Sequence, residues 1–180
     1  MTGGLTRRGV LAGAALAVSS CGGGDAPPAR GPRPGSGVGL LNSVLALEHA
    51  TVAAYDALAR RLAAPGRAAA LAIARQEREH VARLSEVIAG LGGTPVEGRP
   101  PESYASSFPV LDDAADALLL ARDVEERLVR AYLDALTKLP AGPLRREAAG
   151  LATSEAEHLA VVQGLQGQPL AAQAFVTGTS

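Results

Sequence analysis

The stretch QEREHVARL, residues 76–84, places Glu77 and His80 three positions apart inside a run of helix-forming residues. Further along, SEAEHLAVV (154–162) repeats the device with Glu155 and His158. Each α-helical residue turns by about 100°, so residues three apart lie about 60° apart and project from one face. Glu79 and Glu157 turn away by about 200° and are read as solvated. The pairs fall on apolar stripes, between Ile73 and Leu84 in the first case and Leu151 and Val162 in the second. An acid–imidazole pair is thus directed into a core twice.

Working outward, the apolar spacing predicts four helices. The first, over about 40–63, aligns Leu41, Leu45, Glu48, Val52, Tyr55 and Leu62 and stops at Pro65-Gly66. The second, 67–90, carries Ile73, Glu77, His80, Leu84, Val87 and Leu91, and GLGG ends it as a glycine cap would. The third, 111–138, aligns Leu118, Glu125, Val129, Tyr132 and Leu136 before Pro140 and Gly142. The fourth, 143–164, aligns Leu144, Ala148, Leu151, Glu155, His158, Val162 and Leu165. The halves echo one another, since a glutamate precedes a tyrosine by seven residues in both Glu48–Tyr55 and Glu125–Tyr132. This predicts an all-α protein, two similar hairpins packed as an antiparallel four-helix bundle. GTPVEGRPPESYASSFPV (93–110) is long enough to run the length of the bundle, as one long crossover between helices 2 and 3 requires.

Composition bounds the alternatives. The 180 residues suffice for one domain besides a targeting segment. Hydrophobic content is 47% with only 3% aromatics, so the core is built from Ala, Leu and Val. A formal charge of −1 with scattered arginines argues against a nucleic-acid or anionic-membrane footprint, which needs a concentrated basic face. One cysteine leaves no internal disulfide. Residues 1–20 read as an export signal: Arg7 and Arg8, an apolar run from Val10 to Val18 too short to span a bilayer, then Ser19 and Ser20. TRRGVL resembles a twin-arginine motif, and AVSSC resembles a lipobox whose Cys21 is lipidated. The expectation is an extracytoplasmic protein, lipid-anchored at the outer face of the cytoplasmic membrane. Residues 21–39 would be lipidated cysteine and flexible tether, and residues 40–180 the bundle with its tail.

Glu48 and Glu125 interrupt their apolar stripes near mid-helix, so the bundle buries four carboxylates and two imidazoles together. Isolated ionised carboxylates in an apolar core are costly, and four that repel one another cost more. Counter-charges are few; Arg122, one turn before Glu125, is the one close to the stripe. Two divalent cations would cancel four negative charges, with neutral histidines completing the coordination. His49 reads as a boundary histidine at the helix flank, or as an extra ligand or proton shuttle. Tyr55 and Tyr132, about 10 Å along their helices from the glutamates, read as core aromatics with a polar end, or as redox relays.

LEHATVAAY, QEREHVARL, LGGTP, EERLVRAY and SEAEHLAVV together resemble the ferritin-like superfamily, in the manner of rubrerythrin and bacterioferritin. Over about residues 40–176, SSFPV and AAQAFVTG included, the chain is similar to a ferritin-like domain of high-GC bacterial lipoproteins. The resemblance implies carboxylate ligands Glu48, Glu77, Glu125 and Glu155, with His80 and His158 as terminal nitrogen ligands. Glu126 is the alternative to Glu125, which the Tyr132 spacing favours. It implies two metal ions, iron or else manganese, with O2 or peroxide as substrate and ferroxidase, peroxidase or oxygenase chemistry. A homodimer is compatible. The four-cysteine rubredoxin site of rubrerythrin is absent, and a tethered chain does not readily line a storage shell. The alternative is a metal-free ferritin-like bundle that serves structure or binds a partner.

Overall fold

The computed structural model describes residues 34–168. The export signal, Cys21, the tether as far as residue 33 and the AAQAFVTG tail lie outside the described residues. The helices are α1 (Pro34–Leu58), α2 (Gly66–Gly90), α3 (Pro101–Ala105), α4 (Ala114–Lys138) and α5 (Pro143–Leu165). The fold is the expected all-α bundle. α1 packs on α2 and α4, α4 packs on α5, and α2 meets α5 to close the ring.

Direction follows from which residues share a core layer. One apolar cluster contains Leu58, Ile73, Leu120 and Val162; the other contains Leu41, Leu84, Leu128 and Leu151. α1 and α5 therefore run from the second cluster to the first, and α2 and α4 run the opposite way. All neighbouring helices are antiparallel, while the diagonal pair α2 and α4 point alike. That arrangement requires the crossover to carry the chain back to the end of the bundle at which α2 began.

The crossover does this along α1. Asn42 Nδ2 donates to Thr94 O at 2.9 Å, and its Oδ1 accepts from Val96 N at 2.7 Å. Farther on, Phe108 and Leu111 pack against the first cluster. The one-turn helix α3 was not expected from the sequence; Pro101 at its start suits a first helical turn, where no amide partner is needed.

Three boundaries and one stripe position differ from expectation. α1 begins at Pro34, not 40, so its first turns occupy residues read as tether. Val38 packs against the second cluster, and Gly37 faces Leu139 and Leu144. α1 also ends at Leu58 rather than 63; Arg61 N bonds to Leu58 O at 2.9 Å as the helix tightens into a turn, and Leu62 stays buried. α4 starts at Ala114 rather than 111, because Asp113 caps it by accepting from Ala115 N and Asp116 N. Leu91 belongs to the C-terminal cap of α2 and is 41% exposed, off the stripe it was expected to extend. Small stripe errors have one cause: a strict seven-residue spacing drifts on a 3.6-residue helix. Leu128 and Ala135 fill the core where Val129 and Leu136 were expected, and the latter two are half-buried.

Candidate metal centre

The six expected residues meet at mid-bundle between the two apolar layers. Leu45 precedes Glu48 on α1, and Leu84 follows Glu77 and His80 on α2. Leu128 follows Glu125 on α4, and Leu151 precedes Glu155 and His158 on α5. These leucines form one wall; Ile73, Val124 and Val162 belong to the other. Glu48, Glu77, Glu125 and Glu155 have no solvent exposure, and both histidines are buried.

The geometry is nearly twofold. Ligand-type atoms of Glu48, Glu77, His80 and Glu155 lie within 4.8 Å of one another, as do those of Glu77, Glu125, Glu155 and His158. Glu77 and Glu155 belong to both groups. His80 Nδ1 is 2.7 Å from Glu155 Oε1 and 3.5 Å from Glu77 Oε2. His158 Nδ1 is 2.8 Å from Glu77 Oε1 and 3.5 Å from Glu155 Oε2. The imidazoles stack with ring centroids 5.7 Å apart.

The tyrosines tie the halves together. Tyr55 Oη donates to Glu125 Oε1 at 2.5 Å, and Tyr132 Oη donates to Glu48 Oε1. Each tyrosine thus serves the glutamate of the other hairpin, not the one seven residues before it on its own helix. The shared seven-residue spacing was the available signal. Oε2 of Glu48, Glu77, Glu125 and Glu155 is buried without a hydrogen-bond partner, and Glu155 Oε1 and His80 Nδ1, 2.7 Å apart, are out of hydrogen-bond alignment. Buried polar atoms are nearly always satisfied, so a concentration of carboxylate oxygens facing one another fits an electropositive occupant.

Proton affinities show the same strain. Burial, then repulsion from Glu155, pushes Glu48 well above the carboxylate range. Burial and the charges of Glu77 and Glu155 push Glu125 up to about 9. Burial also acts to raise Glu77, but hydrogen bonding from His158 and His80 outweighs it and holds Glu77 at about 2. For the histidines burial works downward, yet the neighbouring Glu155 and Glu77 prevail and lift His80 to about 9 and His158 to about 10.

The remaining candidates fall outside the cage. Glu126 is part-exposed and paired with Arg122 at 2.7 Å, so Glu125 is the residue that α4 turns inward. Arg122 is correspondingly no counter-charge to the cage, its side chain being 40% exposed. Glu79 and Glu157 are exposed. His49 Nε2 is 3.2 Å from Val96 O on the crossover, the boundary role anticipated for it. Its ring lines a cleft of about 330 Å³ between α1 and the crossover, with Val52, Tyr104 and Phe108. Gln76, which no sequence argument selected, accepts from His158 Nε2 at 2.8 Å.

The family model described as "Ferritin-like domain" matches residues 36–168. The chain belongs to the ferritin-like domain family. Two solved structures are similar to this ferritin-like protein. A conserved hypothetical protein of Mycobacterium tuberculosis has 21% identity and a TM-score of 0.65 over 80% of this chain and 100% of its own. A protein described as a ferritin-like, diiron-carboxylate protein, from Bacillus anthracis, has 21% identity and a TM-score of 0.61 over 72% of this chain and 94% of its own. No curated protein matches significantly. At this identity the likeness speaks for the ferritin-like fold, and the buried Glu/His cluster that could bind metal is this chain's own.

Proposed function

We propose that this ferritin-like protein holds two metal ions, iron first and manganese as the alternative, and works as an oxidoreductase on O2 or peroxide. Glu48 and His80 would serve one ion and Glu125 and His158 the other, with Glu77 and Glu155 shared. The observation that carries the reading is the set of inward-facing, unpartnered carboxylate oxygens in a fully buried layer. The solved diiron-carboxylate relative supports it. When bound, paired redox-active ions supply one-electron steps to a small oxidant. The chain's own residues do the rest. Tyr55 and Tyr132 occupy one oxygen of each terminal carboxylate and leave the other free. The leucine and valine layers keep bulk water away, which strengthens every charge interaction inside. Side-chain exposure of 10% at His80 makes that edge the natural approach for a small molecule.

The export signal and Cys21 support a further part of the proposal, a lipid-tethered extracytoplasmic location with the bundle folded and loaded before export. A second reading, a metal-free bundle that binds a partner, draws support from the proton affinities, since two imidazolium groups can neutralise two carboxylates. Elemental analysis of the purified protein, expressed with iron or manganese in excess, separates the two. Two metals per chain, lost in Glu77→Ala and His158→Ala, supports the first reading; a folded protein without metal under every condition rejects it.

A further inference from the structure

The twofold relation exchanges Glu48 with Glu125, Glu77 with Glu155, His80 with His158 and Tyr55 with Tyr132. One contact breaks it. His158 Nε2 donates to Gln76 Oε1 at 2.8 Å, while Nδ1 of the same ring faces Glu77. His80 presents Nδ1 to Glu155 in the matching way, but its Nε2 has no hydrogen-bond partner among the described residues. Its side chain is also the more exposed of the two, 10% against 5%.

The cause lies in the duplicated motifs. Gln76 immediately precedes Glu77, and Ser154 immediately precedes Glu155. A glutamine amide reaches two carbons farther than a serine hydroxyl, enough to cross from α2 to the imidazole on α5. Ser154, at the equivalent place on α5, makes no hydrogen bond to His80.

We propose that Gln76 is a positioning residue that makes the two metal positions unequal, with the Glu77, Glu125, Glu155 and His158 position the tighter. The position of Glu48, Glu77, Glu155 and His80 is then the weaker, exchangeable one. This rests on the dinuclear reading above. An acceptor on Nε2–H fixes the tautomer that leaves the Nδ1 lone pair free for a metal, presets the ring orientation and raises ligand basicity. His80 lacks that support and must be ordered when an ion binds.

Gln76 is itself exposed, so its side chain can be changed without disturbing the core. The test is calorimetric titration of the metal-free chain with Mn(II), comparing the wild type with Gln76→Met and Gln76→Glu. The wild type should show two events, and Gln76→Met should weaken the tighter one by about 10- to 100-fold. Gln76→Glu keeps an acceptor of the same reach and should restore it. Two ions bound with equal constants, or a Gln76→Met isotherm identical to the wild type, overturns the inference and leaves the dinuclear reading standing. Failure of the wild type to bind Mn(II) or Fe(II) at all overturns both.

Discussion

Tyr132 on α4 donates its hydroxyl hydrogen bond to Glu48 on α1, 84 positions earlier in the chain. Tyr55 returns the favour to Glu125 across the same helix pair. Neither partner is on the tyrosine's own helix. The bonds join the two hairpins at the level of the carboxylate cage.

Removing either hydroxyl should therefore leave a buried carboxyl oxygen unsatisfied. Tyr132→Phe and Tyr55→Phe are each expected to destabilise the metal-free protein by about 1–3 kcal/mol, the range for an orphaned buried group. Urea denaturation measures this directly. No change in either variant would mean that the hydroxyls do not link the hairpins.

The metal-free protein should lose stability as pH rises. His80 and His158 titrate at about 9 and 10 when folded against 6.5 when free. Their contribution is fully present below 6.5 and disappears as pH climbs through the folded values. Glu125, held near 9 instead of 4.5, acts in the same direction, because the folded state keeps a proton that the unfolded chain releases. Glu77, held at about 2, acts oppositely and only below 4.5. Tm of the metal-free protein should fall from about pH 5 to about pH 9. Added Mn(II) should raise Tm more at the alkaline end, since ligands bind metal deprotonated. A flat metal-free profile would contradict the proton-filled cage.

Glu125→Gln keeps the shape and the acceptor for Tyr55 and is neutral without a proton, whereas Glu125, held near 9 when folded, must take one up on folding at alkaline pH. Removing that proton uptake should stabilise the metal-free protein there. We expect the metal-free variant to unfold at a higher temperature than the wild type at about pH 8, while metal binding is lost. Stability and function would then be opposed at one residue. A less stable variant at that pH would remove the case for a strained apo site.

The first turns of α1 carry their own test. A Cβ on Gly93 would lie 2.5 Å from Val38 Cγ1 and 3.1 Å from Ile88 Cγ2. Gly93→Ala should cost about 1–3 kcal/mol through overpacking. Val38→Ala in the same chain should recover part of that loss, a coupling readable in a double-mutant cycle. Simple additivity of the two changes would place Val38 away from Gly93.

Much was legible in the sequence because helical periodicity is local. The spacing of Glu77 to His80 and of Glu155 to His158 settles that each pair shares a face, and interrupted apolar stripes mark Glu48 and Glu125 as buried. Proline, glycine and a long polar connector placed the helices and their order. What local pattern could not supply was reach between elements. That Tyr132 meets Glu48 and that Gln76 rather than Ser154 supports an imidazole both depend on how α1, α2, α4 and α5 register against one another. Val38 looked like tether for the same reason: one apolar residue among glycines and prolines acquires a core role only when the ends of α2, α4 and α5 come together around it. Side-chain contacts across a bundle are set by packing between helices, and only the tertiary structure decides that.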